Sequence, residues 1–257
     1  MPQKKITYNN PFIFSYSGNK RKEYPEIKKS LDLDGVETIV EPFCGSGAFS
    51  FFLARDNPKK YKYILNDINE NLIKLYELMK DTEKFKTFQD EMNEVAKDLD
   101  KEKYNALEGL TRYFIHHKIH TMRNGLFPLN YKYKPIDLEK CPIVQFVRNE
   151  DVYFSSIDGV ELIEKYRDNE KVFIFCDPPY LLSSNGFYDD IYGETSVNIY
   201  EYIYKNDLRD FKSKILLTLE KNLFVKLLFV KYKKTEFDKK YIGNTKRRCK
   251  FLNIVNY

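Results

Sequence analysis

The sequence has few cysteines and no long apolar segment. Four cysteines occur in 257 residues and none lies close to another, so neither a disulfide framework nor a cysteine-type zinc site is expected. The longest apolar runs, such as residues 222–230, fall well short of the roughly 20 residues that span a bilayer. The first ten residues contain no apolar stretch, so we expect no secretion signal. These features predict a cytoplasmic protein without a membrane partner.

Histidine is also scarce, with three residues that all lie between positions 116 and 120. This leaves no obvious strong general base elsewhere in the chain. His116 and His120 share one helical face, but they lack the carboxylate of a HExxH arrangement. We therefore predict no metal site, and we expect these histidines to pack or to face phosphates.

The charge is nearly balanced, with 43 basic and 38 acidic residues and a formal net charge of +5. Such a balance permits a nucleic-acid partner without requiring one. The length suits one large domain, or a core domain with a smaller insert, and no internal repeat or Gly/Ser linker divides the chain.

Apolar strands and helices alternate along the chain. A buried strand at Val36–Glu41 precedes a helix that starts at Ala48, and a second strand at Tyr61–Asp67 precedes a helix from Glu70. Strand–helix–strand–helix order implies a parallel sheet, so the predicted fold is α/β and Rossmann-like. Three further strands are predicted near residues 151–154, 172–176 and 215–219, and residues 76–148 are predicted to form a mostly helical insert that loses helix periodicity around residues 123–135.

A glycine-containing turn follows the first strand, in the sequence Glu41-Pro-Phe-Cys-Gly-Ser-Gly. Gly45 and Gly47 allow a tight turn and a close approach of ligand to main chain. Asp67 lies 20 residues beyond Gly47, where nucleotide-binding α/β folds place a carboxylate for ribose hydroxyls. The alternative is an ordinary strand-to-helix turn with Asp67 as a helix cap.

The sharpest motif follows the buried strand Phe173–Cys176 and reads Asp177-Pro178-Pro179-Tyr180. Two adjacent prolines end the strand, which presents a carboxylate, a carbonyl and an aromatic ring at its carboxyl end. Ligands bind at the carboxyl ends of parallel strands in open α/β sheets. The alternative is a strand terminator with a surface tyrosine.

The motifs and their order along the chain resemble those of the Dam-like N(6)-adenine DNA methyltransferases. The resemblance extends over nearly the whole chain. The segment from Pro11 to Arg21 is similar to the family's N-terminal element, Ser156–Gly159 falls where the family holds the cofactor adenine, and residues 246–257 are similar to its closing basic turn and last strand. Three positions depart from the pattern: Ser15 stands in place of a lysine, Asn19 in place of a glycine, and Gly159 in place of a phenylalanine.

The resemblance implies S-adenosyl-L-methionine as cofactor, on a Rossmann-like methyltransferase sheet. The cofactor-binding residues it implies are Tyr16, Gly18, Lys20, Glu41, Phe43, Gly45, Gly47, Asp67, Asp158 and Asp177. The catalytic residues it implies are Asp177, Pro178, Pro179 and Tyr180. Asp177 and the Pro178 carbonyl would accept hydrogens from the amino group of an adenine flipped out of the duplex, on which Tyr180 would stack.

The resemblance also places a DNA-reading element in the insert, which divides the chain into a catalytic domain at 1–75 and 149–257 and a target-recognition domain at 76–148. The DNA-binding residues predicted there are Arg123, Asn124, Asn130, Lys132 and Lys134, interspersed with Phe127, Tyr131 and Tyr133. Such a mixture suits base reading and phosphate contact. A solvated loop is the alternative, and Lys246-Arg247-Arg248 is weaker evidence for phosphate contact.

The predicted function is therefore site-specific methylation of adenine in double-stranded DNA, by a monomer or weak dimer. The sequence leaves open whether the enzyme is paired in function with a restriction endonuclease, acts alone or is encoded by a virus. The alternatives are methylation of RNA adenine or of a glutamine amide, because the same chemistry serves any planar amino group, or a catalytically weak DNA-binding regulator.

Overall fold

The computed structural model describes residues 11–14, 16, 18–58, 60–118, 127–128, 131–180, 198–240 and 248–257. Seven strands form one sheet: β1 Thr38–Glu41, β2 Lys62–Asn66, β3 Val152–Ser155, β4 Val172–Cys176, β5 Lys214–Glu220, β6 Lys233–Lys240 and β7 Arg248–Val255. Their order is β3-β2-β1-β4-β5-β7-β6. The first five strands in that order are parallel, whereas β7 is antiparallel to both β5 and β6.

The helices are α1 Tyr24–Lys28, α2 Ala48–Asp56, α3 Glu70–Lys80, α4 Thr82–Lys97, α5 Lys101–Ala106, α6 Gly109–Lys118, α7 Pro142–Val147, α8 Gly159–Tyr166, α9 at 198–205 and α10 Leu223–Leu228. A 3₁₀ turn spans Leu208–Asp210. Within the described ranges, no helix is both long enough and apolar enough to cross a membrane.

The central strands are apolar because helices cover both faces of a parallel sheet. All five residues of β4 are buried, and Phe175 on β4 stacks on Phe49 of α2 with ring centroids 3.9 Å apart. In the register of the sheet, Thr38 of β1 lies opposite both Lys62 of β2 and Val172 of β4. The carboxyl ends of these three strands therefore lie at one end of the sheet, where the following loops meet.

Two compact units make up the chain, one from Gly18–Ile73 and Asp151–Tyr257, and the other from the described residues of Met1–Ser17 and Lys74–Glu150. The first holds the sheet. The second is helical, and Phe88 and Phe114 pack edge to face in its core at 5.3 Å.

The N-terminal segment packs within the helical unit, which differs from the predicted domain that began at residue 1. The Pro11 carbonyl accepts a hydrogen bond from the Ile143 N–H (3.1 Å), and the Ile13 carbonyl accepts one from Lys118 Nζ (3.0 Å). Local periodicity carries no information about such distant partners. The roles assigned to the two domains stay predictions.

The α/β prediction is confirmed, and so are the starts of α2 at Ala48 and α3 at Glu70. The predicted strands correspond to β1–β5, with ends shifted by one or two residues. Sequence reasoning did not identify β6, whose sequence Lys-Lys-Thr-Glu-Phe-Asp-Lys-Lys is almost entirely polar. Its position at the edge of the sheet explains this composition, since charged residues protect an edge strand from pairing with other chains.

Candidate active site

Residues 42–47 connect β1 to α2 at the carboxyl end of the sheet. Gly45 and Gly47 have φ angles of 48° and 63°, a backbone conformation that strains residues with a side chain. The Cys44 N–H donates to the Asn66 carbonyl at 2.7 Å, which ties the loop to the end of β2. The predicted glycine turn is therefore present, and both glycines are required by its backbone geometry.

Asp67 follows β2 and holds this glycine loop. Its side chain is buried, and Oδ2 accepts from the Gly45 N–H (3.0 Å) while Oδ1 accepts from the Asn69 N–H (3.0 Å). The cap of α3 is supplied by Asn69, whose Oδ1 accepts from the N–H groups of Asn71 and Leu72. Asp67 is thus not the helix cap that the alternative interpretation required; its role toward a ribose stays a prediction.

Asn66 was not predicted from sequence as a site residue, although its amide joins the loop after β1 to the end of β3 and the loop that follows it. Nδ2 donates to the carbonyls of Pro42 and Ile157, each at 2.9 Å. Oδ1 accepts from Ser155 Oγ (2.8 Å) and from the Ile157 N–H (3.0 Å). The one available signal was an amide at the end of an otherwise apolar strand. Because its donors and acceptor are all used inside the protein, Asn66 fixes the shape of this end of the sheet.

Asp158 caps α8, since its Oδ1 accepts from the Val160 N–H at 2.7 Å. The adjacent Gly159 lies against the ring of Phe43, and a Cβ at position 159 would come within 2.5 Å of that ring. No side chain fits there unless the ring moves. Phe43 of the glycine loop therefore lies beside Gly159, the residue that follows Asp158. The assignment of Phe43 and Asp158 to a cofactor site stays a prediction.

Asp177 immediately follows β4 and is mostly buried. Its Oδ2 forms an ion pair with Lys20 Nζ, and the two side chains are 15% and 5% exposed. Lys20 Nζ also donates to the Gly18 carbonyl at 2.9 Å. Burial lowers the pKa of Lys20, and the negative charge of Asp177 opposes that shift. The predicted site residues Gly18, Lys20 and Asp177 thus form one connected group.

Tyr180 reaches back to Asp177 across the two prolines. Its hydroxyl donates to Asp177 Oδ1 at 2.9 Å, so each carboxylate oxygen has a donor within the protein. The Tyr180 ring packs edge to face on Phe251 of β7 with centroids 5.3 Å apart, and Lys20 Nζ lies 5.5 Å from the Tyr180 centroid. The alternative of a surface tyrosine is wrong, because this side chain is part-buried and oriented by three neighbours.

Glu41, the last residue of β1, is a buried carboxyl group beside these charges. Its Oε1 accepts from the Ser50 N–H at 2.9 Å. Its pKa is raised to about 8, mainly by burial and to a smaller extent by the nearby negative charge of Asp177, while the hydrogen bonds from Ser50 and the charge of Lys20 oppose the shift. Glu41 is therefore largely protonated at neutral pH and adds little negative charge to the group.

Tyr16 belongs to the helical unit. Its ring stacks on His117 with centroids 5.8 Å apart and an interplanar angle of 16°, and His117 also stacks on Phe14 at 5.0 Å. The predicted role of Tyr16 in cofactor binding stays a prediction.

The predicted DNA-reading loop is described in part. Arg123, Asn124 and Asn130 lie outside the described residues. Lys132 and Lys134 are exposed, whereas the tyrosines that precede each of them are anchored on α4. The Tyr131 hydroxyl donates to the Ala96 carbonyl (2.7 Å) and the Tyr133 hydroxyl to Asn93 Oδ1 (2.9 Å). The two lysines are thus exposed to solvent, whereas the two tyrosines attach this segment to α4.

Metal-ligating side chains do not cluster in the part of the chain that the structure describes, where no group of three or more could hold an ion. His116 Nδ1 lies 2.7 Å from the Tyr104 hydroxyl, and burial lowers the pKa of this histidine. His120 lies outside the described residues.

Comparisons with known proteins identify methyltransferases as similar to this chain. The family model described as D12 class N6 adenine-specific DNA methyltransferase matches residues 16–157. The chain is 26% identical over 252 residues to the Type II methyltransferase M.CviBI of Paramecium bursaria Chlorella virus NC1A, with 89% of this chain and 90% of that protein covered. It is 25% identical over 203 residues to the Type II methyltransferase M.MjaIII of Methanocaldococcus jannaschii, with 66% of this chain and 68% of that protein covered.

Among solved structures, the chain is similar to one titled delta-N METTL16 MTase domain. The TM-score is 0.42 at 9% identity, and the likeness covers 94% of this chain and 84% of the other.

Proposed function

The chain belongs to the D12 class of N6 adenine-specific DNA methyltransferases, and we propose that Asp177 and Pro178 hold the amino group of the target adenine during methyl transfer. The observation that carries this proposal is the position of Asp177. It lies at the carboxyl end of β4, next to β1, whose own carboxyl end leads into the glycine loop. Asp177 and the glycine loop thus follow adjacent strands of one sheet, which supports assigning them to one site.

S-adenosyl-L-methionine is the proposed cofactor, and the residues at this end of the sheet fit it. Gly45 and Gly47 provide a turn without side chains, and a Cβ at Gly18 would meet nothing within 4 Å. Asp67 lies against Gly45 and supplies a buried carboxylate for ribose hydroxyls. We propose that these residues bind the cofactor together with Tyr16, Lys20, Glu41, Phe43 and Asp158. When bound, the cofactor supplies a methyl group on a sulfonium, so the protein contributes position and polarity.

Adenine's amino nitrogen is a weak nucleophile because its lone pair is delocalised into the ring. If Asp177 and the Pro178 carbonyl each accept one amino hydrogen, the nitrogen becomes more tetrahedral and its lone pair is directed to the methyl group. Positive charge develops on that nitrogen, and a carboxylate stabilises it more in the transition state than in the ground state. The methylated nitrogen is acidic, so its proton leaves without a strong base.

The ion pair with Lys20 holds the Asp177 carboxylate in place through Oδ2. The Tyr180 hydroxyl orients the carboxylate through Oδ1, and the amino group must share or replace one of these two donors when it arrives. An adenine inside a duplex cannot reach this site, so the base is flipped out, and the Tyr180 ring is the proposed stacking surface. Lys132 and Lys134 are proposed to contact DNA phosphates.

We further propose that the enzyme works as a monomer or weak dimer and shares its target sequence with a restriction endonuclease. The relatives M.CviBI and M.MjaIII carry the Type II designation. Sedimentation of the purified protein tests the first statement. A search for an endonuclease that cleaves the target sequence when it is unmethylated, and not after methylation by this enzyme, tests the second.

The function itself is tested by sequencing DNA from cells that express the wild type or Asp177→Ala. We expect N6-methyladenine within one sequence context in the first sample and none above background in the second. Transfer of labelled methyl groups to DNA, RNA and protein in parallel checks the substrate. Labelling of RNA or protein in preference to DNA contradicts the proposal.

A further inference from the structure

A second ion pair is buried close to Asp177, and the mechanism above does not use it. Glu23 Oε1 and Lys239 Nζ are 2.9 Å apart, and both side chains are more than nine-tenths buried. Glu23 immediately precedes α1, whereas Lys239 is near the end of the edge strand β6. Among the described residues, Glu23 Oε2 has no hydrogen-bond partner.

Lys239 is connected to the catalytic tyrosine through one aromatic ring. Its Nζ lies 5.0 Å from the centroid of Phe251, within the range of a cation–π interaction. The same ring packs edge to face against Tyr180. Phe237, two residues before Lys239 on β6, packs on Phe251 at 5.8 Å. The position of Lys239 therefore affects the Phe251 ring, against which the Tyr180 ring packs.

Glu23 is connected to Asp177 through the main chain. The Tyr24 N–H donates to the Lys20 carbonyl at 2.8 Å, which closes a turn from Lys20 to Tyr24. Lys20 lies at the start of this turn and pairs with Asp177, and Glu23 lies near its end and pairs with Lys239. Fixing Glu23 to β6 therefore fixes the turn that carries Lys20.

We propose that Glu23 and Lys239 are positioning residues. Their ion pair holds Lys20 in its contact with Asp177 and holds the Phe251 ring in its contact with Tyr180. The proposal rests on the catalytic role proposed for Asp177. Lys20 and Tyr180, which donate to the Asp177 carboxylate, are then both held in place by the Glu23–Lys239 ion pair. That pair lies outside the Asp177–Tyr180 motif.

The energetics of buried ion pairs indicate which variants separate the positioning effect of the Glu23–Lys239 pair from its effect on stability. The cost of removing two charges from water largely offsets their attraction, so replacing both by uncharged groups of similar volume is often neutral for stability. Removing one partner leaves an unpaired buried charge and destabilises the protein. A double replacement therefore separates positioning from folding.

The charges around Lys20 provide a second readout. Three of them act on its pKa: Lys239 lowers the pKa of Lys20, whereas Asp177 and Glu23 raise it. Glu41 also lies near Lys20 but is largely protonated at neutral pH. Lys239→Met should therefore raise the pKa of Lys20, and Glu23→Gln should lower it. If Lys20 must stay charged, the alkaline limb of the rate profile moves to higher pH in the first variant and to lower pH in the second.

The experiment measures single-turnover methyl transfer to cognate duplex from S-adenosyl-L-methionine, with cofactor and DNA affinities and melting temperatures, for Glu23→Gln, Lys239→Met and the double variant. Lys250→Met is the control, because it removes an exposed partner of Glu236 on the same pair of strands. We expect single and double variants to react about tenfold to a hundredfold more slowly, since small displacements near a reacting group cost that much. Cofactor affinity should fall as well, because Lys20 is among the proposed cofactor-binding residues. DNA affinity should change little, and the control should match the wild type.

The double variant decides the matter. If it regains the melting temperature of the wild type and stays slow, the positioning role is supported. If it regains the rate as well, or if either single variant reacts at the wild-type rate, the pair is structural and the proposal fails. Shifts of the alkaline limb in the same direction for both single variants also overturn it. Failure of the function proposed for Asp177 is recognised separately, since Asp177→Ala would then remain active.

Discussion

Lys20 and Asp177 form a buried ion pair across 157 positions of sequence, between the N-terminal turn and the end of β4. The pair joins the element predicted to bind cofactor to the motif predicted to bind the target base. This ion pair and the hydrogen bond from the Tyr180 hydroxyl fix the orientation of the Asp177 carboxylate, which we propose as the amino-group acceptor.

The ring and the hydroxyl of Tyr180 should contribute separately to the rate of methyl transfer. Tyr180→Phe removes the bond to Asp177 Oδ1 but keeps the ring on Phe251. We expect a rate loss of about fivefold to tenfold, because a single hydrogen bond contributes about 1 kcal/mol. Tyr180→Ala, which also removes the stacking surface, should lose about another tenfold or more. Rapid-quench measurement of methyl transfer checks both; equal losses in the two variants would show that the ring does not contribute.

Asp67→Ala should weaken cofactor binding by about tenfold or more, because the loop N–H of Gly45 loses its acceptor and remains buried. The chemical step at saturating cofactor should change less, since the predicted ribose contacts lie away from the transferred methyl group. Titration calorimetry gives the affinity. An unchanged dissociation constant would show that Asp67 neither contacts the cofactor nor holds the loop in its binding conformation.

Glu41 should make stability depend on pH. A carboxyl group whose pKa is raised by folding stabilises the folded state below its unfolded pKa of about 4.5, and this contribution is lost as the pH rises to the folded value of about 8. The free energy of unfolding should therefore fall between pH 5 and pH 8 by more than about 1.4 kcal/mol, the equivalent of one pKa unit. Glu41→Gln removes this term, so urea unfolding at several pH values should show a smaller decline. Parallel declines in both proteins would refute the assignment.

Lys132→Ala and Lys134→Ala should weaken binding to cognate and scrambled duplexes alike, since exposed lysines contact phosphates without reading bases. Each lost phosphate contact should reduce the slope of log affinity against log salt by about 0.9. Lys101→Ala, an exposed lysine on α5, is the matched control. A loss confined to the cognate duplex would identify the lysine as a base contact.

The sequence was most informative where one physical requirement dominates. The apolar strands, the glycine turn and the proline pair are local features, and β1, β2, β4 and the loop at Gly45 and Gly47 were predicted in place. Partners distant in sequence were not predicted. Lys20 was assigned to the cofactor without its ion pair to Asp177, and Asn66 was overlooked because its four bonds go to loops that the fold brings together.

The tyrosines of the insert illustrate a different difficulty. Tyr131 and Tyr133 were grouped with the lysines as a nucleic-acid-binding mixture, yet their hydroxyls bond to α4. An aromatic residue with a hydroxyl serves equally well as an anchor or as a contact for DNA. Only the position of α4 distinguishes the two, and local sequence does not contain it.

The central claim, that the Asp177 carboxylate acts on the reacting amino group, is tested most directly by single-turnover methyl transfer with Asp177→Asn, which keeps the shape of the side chain. Asp210→Asn, an exposed aspartate of the same unit, is the control. We expect a rate at least about 100-fold below the wild type, as for other losses of transition-state stabilisation, with DNA affinity largely unchanged. A near-normal rate in Asp177→Asn would contradict it.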